Sequence, residues 1–196
     1  VLADDMGLGK TLQTLAHIQV EKDAGRLTDP ALIIAPVSLM GNWAREAARF
    51  CPGLRCLVLH GADRHHAAGA LADHDIVIAP YSLLHRDRER WLAQPWHLVV
   101  LDEAQNIKNA STNAAQVVGQ LQARHRLCLS GTPMENHLGE VWSLFHFLMP
   151  GFLGSQQRFK EVFRNPIEKL GDTARLAQLR ARITPFMLRR TKALVA

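Results

Sequence analysis

Five short runs, each of strand length and almost unbroken by polar residues, constrain this chain more than any other feature. They are "ALIIAP" (31–36), "RCLVLH" (55–60), "DIVIAP" (75–80), "HLVVLD" (97–102) and "RLCLSG" (126–131). A strand with one wet face alternates apolar and polar residues, whereas a strand covered on both faces is apolar throughout. The runs therefore predict a mainly parallel sheet with helices on each side. Helical spacing at about 10–23, 38–50, 63–72, 82–93 and 110–122 supplies the crossovers that parallel pairs need. The predicted class is a three-layer α/β lobe.

After Pro133 the strand pattern stops. "LGEVWSLFHFLMP" and "DTARLAQLRARI" have helical spacing, the second with Leu176, Leu179 and Ile183 on one stripe. The chain then divides into a lobe over 1–149 and a helical extension over 150–196, entered through Pro150, Gly151 and Gly154.

Composition narrows the function classes. With 196 residues, 47% of them hydrophobic and 21% charged, the chain can bury a substantial core, which excludes disorder. No apolar run approaches the roughly 18 residues of a membrane span, and the first residues carry no secretory pattern. The expectation is a soluble, intracellular protein without a membrane partner. Cys51, Cys56 and Cys128 are odd in number and lack CxxC spacing, which implies neither a disulfide framework nor a zinc site. Ten histidines include no HxxxH or HExxH pair, so the only ion expected is Mg²⁺ brought by a nucleotide.

Charge is unevenly spread. From Arg158 to Lys192 ten Lys or Arg stand against three acids, a net +7, while the remainder sums to −2. Such asymmetry suits a surface that meets nucleic-acid phosphates and equally suits a solvated helical face.

Three stretches carry chemistry. "DDMGLGKT" sets Gly7 and Gly9 before Lys10 and Thr11 at the start of a helix, with Asp5 and Leu8 completing the loop. Glycines let successive N–H groups turn inward, and the helix start adds its positive end, so the segment can cradle phosphates. Lys10 would reach the β and γ phosphates and Thr11 would put its hydroxyl on Mg²⁺. The strict GxxxxGK[ST] pattern has Asp4 here in place of its first glycine. "HLVVLDEAQ" ends a strand in Asp102, a carboxylate for the Mg²⁺ shell, and Glu103, a proton acceptor for an attacking water. "LCLSGTP" places Ser130, Gly131 and Thr132 at a strand's carboxyl end, the edge where ligands of open α/β sheets collect. A plain turn explains SGTP in isolation as well.

In combination the motifs resemble the first lobe of superfamily two helicase-like ATPases, a RecA-like P-loop NTPase lobe, and specifically the Swi/Snf branch of duplex-DNA translocases. "LADDMGLGKTLQTLA" resembles its phosphate-binding motif, "APVSLMGNWAREAARF" and "DIVIAPYSLL" its strand-contacting segments, and "VVLDEAQNIKN" its hydrolysis box. "LSGTPMENHLGEVWSLFHFLMPGFLG" and "PFMLRRTK" are the most diagnostic, because generic DEAD-box helicases lack them. The resemblance spans essentially the whole chain.

It implies ATP and Mg²⁺ as cofactors, with Lys10, Asp102, Glu103 and Gln105 catalytic and Ser130, Gly131 and Thr132 coupling hydrolysis to movement. It implies sequence-independent duplex DNA contacts around Ser38, Asn42, Tyr81 and Ser82, steeply dependent on salt. Gln105 stands where many relatives have histidine, which bears on coupling rather than hydrolysis. The short helical part suggests a compact, bacterial-type member, cytoplasmic and nucleoid-associated; a eukaryotic one would be nuclear. Val1 to Ala3 resemble the stump of the strand before the phosphate loop. The chain would then be a fragment, inactive alone because a second RecA-like lobe supplies arginines. Transcription, chromatin or nucleoid proteins are further partners of this kind of enzyme.

Two alternatives stand beside this reading: a strand-separating helicase on DNA or RNA, and a nucleotide-gated protein-interaction module without efficient turnover. Trp43 offers either core packing, on an apolar stripe with Phe50, or a stacking platform for nucleic acid.

Overall fold

The computed structural model describes residues 9–60, 71–107, 112–130 and 138–187. Its centre is a five-stranded, wholly parallel sheet formed by β1 (Ala31–Ala35), β2 (Cys56–Val58), β3 (Ile76–Pro80), β4 (Trp96–Leu101) and β5 (Ala123–Cys128), in the order β2-β3-β1-β4-β5. The register aligns Ile33 of β1 with Ile78 of β3 and Val100 of β4. Every residue of β1, β3 and β4 is buried, as unbroken apolar runs require.

Alternation along the strands splits the core in two. Ala31, Ile33, Ile76, Ile78, Leu98 and Val100 face α1 (Lys10–Asp23) and α2 (Val37–Phe50), which contribute Leu15, Ile18, Met40, Trp43 and Ala47. Leu32, Ile34, Val77, Val99 and Leu101 face the other way, toward α3 (Leu83–Arg86), α4 (Arg88–Ala93), α5 (Asn113–Gln120) and α6 (Leu138–Leu148). The three layers expected from the sequence are present.

Two expected elements differ. The helix expected over 82–93 is broken at Asp87 (φ −110°, ψ 32°), and the corner lets Leu83, Leu84 and Trp91 all bury. The fifth strand begins at Ala123 rather than 126, because pairing with Trp96–Leu101 recruits the polar Arg124 and His125. Most of the helix expected over 63–72 lies outside the described residues, which resume with a 3-10 turn at Leu71–Asp73.

The helices after Pro150 continue one of these cores. Phe159, Phe163, Leu179 and Ile183 join the cluster that contains Val99, Leu101 and Phe147. α7 (Gln156–Phe159) passes through a π turn (Lys160–Arg164) into α8 (Asn165–Leu170), where Pro166 has no N–H to give and the wider turn takes up the mismatch. Gly171, at φ 61°, ends α8, and the Asp172 carboxylate caps α9 (Thr173–Ile183) by accepting from the Arg175 N–H at 2.9 Å. Arg126 ties β5 to this side: its guanidinium donates to the carbonyls of Phe147 (2.6 Å) and Leu121 (2.9 Å).

Among the described residues no helix is long and apolar enough to cross a membrane, and no group of His, Cys, Asp and Glu could hold a metal by itself. Cys51, Cys56 and Cys128 are free, and burial pushes the Cys128 thiol up to about 12.

Candidate nucleotide and nucleic-acid site

The carboxyl ends of β1, β3, β4 and β5 deliver the candidate residues. Ser38 and Asn42 lie on α2 just after β1, Tyr81 and Ser82 follow β3, Asp102 and Glu103 follow β4, and Ser130 follows β5. Parallel strands place these loops on one edge of the sheet.

α1 starts immediately after Gly9, whose φ of 79° lies in the left-handed region; a Cβ there would meet nothing within 4 Å, so backbone conformation rather than space calls for glycine. α1 has no side-chain cap and no acid in its first turn. α2, α3, α4 and α8 likewise lack a side-chain cap, while α5, α7 and α9 are capped by Thr112, Ser155 and Asp172. An uncapped positive helix end bearing Lys10 and the half-buried Thr11 suits an anion. Asp5, Gly7 and Leu8 lie outside the described residues.

Asp102 is the best-held group of the site. Its amide donates to Ile34 O at 2.8 Å. Its Oδ2 accepts from the Trp43 indole N–H at 2.7 Å and its Oδ1 from the Glu103 amide at 2.9 Å, while the Tyr81 hydroxyl donates to its carbonyl at 2.7 Å. Desolvation pushes the Asp102 carboxyl above its usual range; the two hydrogen bonds and the nearby Lys10 charge pull it down, and Glu103 pushes it up. Lys10, 92 positions away in the sequence, is thus near enough for its charge to act on the Asp102 carboxyl. Burial raises the Tyr81 phenol far beyond its ordinary value, so it stays a neutral donor.

Glu103 is the one non-glycine residue with positive φ among the described residues, at 47°. Such a conformation costs about 1–3 kcal/mol and persists where surroundings over-determine it. Here the Asp102 carboxylate accepts from its N–H, Asn106 Nδ2 donates to its carbonyl at 2.7 Å, and Gln105 Nε2 donates to its Oε2. Gln105 in turn accepts from the Ser130 hydroxyl at 3.3 Å. A chain Ser130–Gln105–Glu103 therefore joins the two strand ends. Gly131 and Thr132 lie outside the described residues.

Ser38 and Ser82 are exposed, Asn42 and Tyr81 half-buried. Trp43 resolves its two alternatives: it is fully buried, while Phe50 is 48% exposed. Its bond to Asp102 was not legible in the sequence, since 59 residues separate the pair. Asn106 likewise goes unremarked in a reading of the motif alone.

These groups fit a magnesium nucleotide. The observation that carries this is the pairing of a helix start preceded by Gly9 with a carboxylate whose hydrogen-bond donors among the described residues are neutral. Hydroxyl and carboxylate oxygens are the hard ligands that Mg²⁺ takes, and the lysine ammonium suits the phosphate.

Comparison with known proteins agrees. The SNF2-related domain family matches residues 1–196. Over 195 residues the chain is 47% identical to YwqA of Bacillus subtilis, named as an ATP-dependent helicase/translocase, covering 97% of this chain and 21% of that protein. It is 35% identical over 199 residues to the ISWI chromatin-remodeling complex ATPase ISW2 of Saccharomyces cerevisiae, covering 98% of this chain and 18% of that one. The Sulfolobus solfataricus SWI2/SNF2 ATPase core in complex with double-stranded DNA superposes with a TM-score of 0.92 at 45% identity, over 99% of this chain and 41% of that one. The chain thus spans less than half the length of each of these relatives, and by its sequence and its fold it belongs to the SWI2/SNF2 family of ATPases.

Proposed function

We propose that this domain is the ATP-binding lobe of a DNA-dependent ATPase that couples hydrolysis to movement along duplex DNA. The observation that carries the reading is Asp102 held between Trp43 and the Glu103 amide, in electrostatic reach of Lys10, at the sheet edge shared with the exposed Ser38 and Ser82. Lys10 and the start of α1 bind the phosphates, and Asp102 with Thr11 holds the metal. Bound Mg²⁺ supplies neutralisation of the charge that develops on the phosphates. Glu103 Oε1 or Oε2 takes the proton of the attacking water, and the hydrogen bond from Gln105 orients that carboxylate. Ser130, through Gln105, links the state of this carboxylate to the segment that follows β5.

Ser38, Asn42, Tyr81 and Ser82 hydrogen-bond the sugar-phosphate backbone, so binding is sequence-independent, and Lys and Arg side chains that neutralise phosphates give it a salt slope of about −0.9 per phosphate. The relative whose core is in complex with double-stranded DNA supports DNA as the partner. Opening and closing against a second RecA-like lobe converts turnover into movement. Residues 1–196 alone bind nucleotide weakly and do not turn over.

The test is steady-state hydrolysis by the intact protein that carries this domain, without nucleic acid and with single-stranded DNA, duplex DNA or RNA. Duplex stimulation that vanishes in Glu103→Gln, followed by displacement of a third strand from a triplex, is the expected result. Stimulation by RNA or single strands alone favours the strand-separating helicase. No turnover under any condition favours the nucleotide-gated module.

A further inference from the structure

The domain has four tryptophans, and three of them satisfy their indole N–H in the same way. Trp91 donates to Leu83 O at 3.2 Å, Trp96 to Trp91 O at 3.2 Å, and Trp142 to Gly154 O at 3.1 Å, all backbone carbonyls. Trp43 differs: it donates to the carboxylate of Asp102 at 2.7 Å, the short length of a charge-assisted bond. A buried indole needs an acceptor, and any carbonyl serves. A carboxylate in the acceptor position directs the side chain of Asp102 as well as satisfying Trp43.

The helix that carries Trp43 has two faces. Met40, Trp43 and Ala47 are buried against the sheet, while Ser38 and Asn42, four residues apart, share another face that reaches solvent. A second segment converges on the same residue, because Tyr81 donates to the Asp102 carbonyl and is followed by the exposed Ser82.

We propose that Trp43 is a positioning residue that transmits duplex DNA engagement on α2 to Asp102, so that a displacement of the helix reorients the carboxylate through the indole N–H. The proposal rests on the assignment of Ser38 and Asn42 to the DNA face. α2 is a continuous 14-residue helix, so a push at Ser38 and Asn42 is carried along its backbone, and its close packing against β1 and β3 passes that strain inward. Any shift at Ser38 and Asn42 therefore reaches the indole adjacent to Asn42.

The experiment uses the intact protein and Trp43→Phe, which keeps an aromatic ring and removes the N–H. Two readouts are taken: the ratio of DNA-stimulated to DNA-free kcat, and the Trp43 indole N–H resonance during titration with duplex DNA in the absence of nucleotide and metal. The ratio is expected to fall at least tenfold while the KM for ATP stays within threefold. The Trp43 resonance, identified by its loss in the variant, is expected to shift with DNA while those of Trp91, Trp96 and Trp142 stay in place. If Trp43→Phe does not fold, segmental labelling of residues 1–196 is combined with Trp91→Phe, Trp96→Phe and Trp142→Phe, which assign the other three resonances by their loss and leave that of Trp43. DNA affinity is followed by anisotropy in parallel, with a Ser38→Ala/Asn42→Ala variant. Absence of duplex binding, or full affinity in that double variant, overturns the DNA assignment and the coupling with it. Binding through these residues with a motionless Trp43 resonance, or an unchanged kcat ratio in Trp43→Phe, overturns the coupling alone.

Discussion

The two ends of the same sheet treat buried carboxylates in opposite ways. At the amino end, Asp75 accepts from Lys22 Nζ at 2.7 Å and the Arg55 amide at 2.8 Å, and these partners hold its carboxyl below the usual range despite burial. Glu21 there accepts a fork from Arg26 and lies 3.1 Å from His97 Nε2; the Arg26 bond dominates in lowering its pKa from 4.5 to about 2. At the carboxyl end Asp102 is held by an indole and an amide, and its carboxyl is pushed up. One end neutralises its charges within the fold and so ties α1 to the sheet. Among the described residues the other end meets its carboxylate with neutral hydrogen-bond donors, an indole and an amide.

Substitutions that abolish chemistry without touching the fold give the largest contrast. Glu103→Gln and Lys10→Ala are expected to lower DNA-stimulated kcat at least about 100-fold with thermal midpoints within about 2 °C of the parent, checked by steady-state turnover and calorimetry. A matching loss of stability would erase the distinction between the two ends.

Asp75→Asn reverses the pattern. It keeps an oxygen that can accept but removes the negative charge that Lys22 meets and adds an NH2 in a buried position, at a cost of about 2 kcal/mol, which corresponds to a midpoint lowered by about 4–8 °C for a domain of this size. ATP turnover measured well below that midpoint is expected to persist.

pH sharpens the comparison further. Glu21 has a folded pKa of about 2 against 4.5 unperturbed, so its contribution is present above pH 4.5 and is lost as pH falls toward 2. Glu21→Gln is expected to shrink the drop in thermal midpoint between pH 5 and pH 3. An unchanged drop would remove Glu21 from the amino-end tether. The smallest effect is expected far from both ends. The exposed Arg164–Glu168 pair, 3.2 Å apart at i,i+4, should lose less than about 0.5 kcal/mol in Arg164→Ala, below the resolution of a melting curve.

Much of the fold was legible because it repeats a local rule. Unbroken apolar runs such as Ala31–Ala35 and Ile76–Pro80 are double-covered strands, and α1 begins and ends where its spacing predicts. Strand β5 obeyed the rule less well, since Arg124 and His125 remain exposed while the backbone still pairs with β4. The positions of Lys10, Asp102, Glu103, Gln105 and Ser130 at strand and helix ends could be read in advance, because each motif adjoins an apolar run or a helical pattern in the sequence. The left-handed backbone of Glu103 could not, because nothing in "LDEAQ" reveals that three side chains will hold it there.

The sequence by itself determined most of the elements, the three-layer class and the candidates for phosphate handling, since hydrophobic period and side-chain chemistry act over a few neighbouring positions. Only the tertiary structure decided what those residues answer to: Trp43 and Tyr81 on Asp102, Ser130 on Gln105, and Arg126 on Phe147. Each is a contact between groups 21 to 59 positions apart. Its partner is selected by sheet order and register, and a hydrogen bond a few ångströms long carries no trace of itself in the local pattern of either segment.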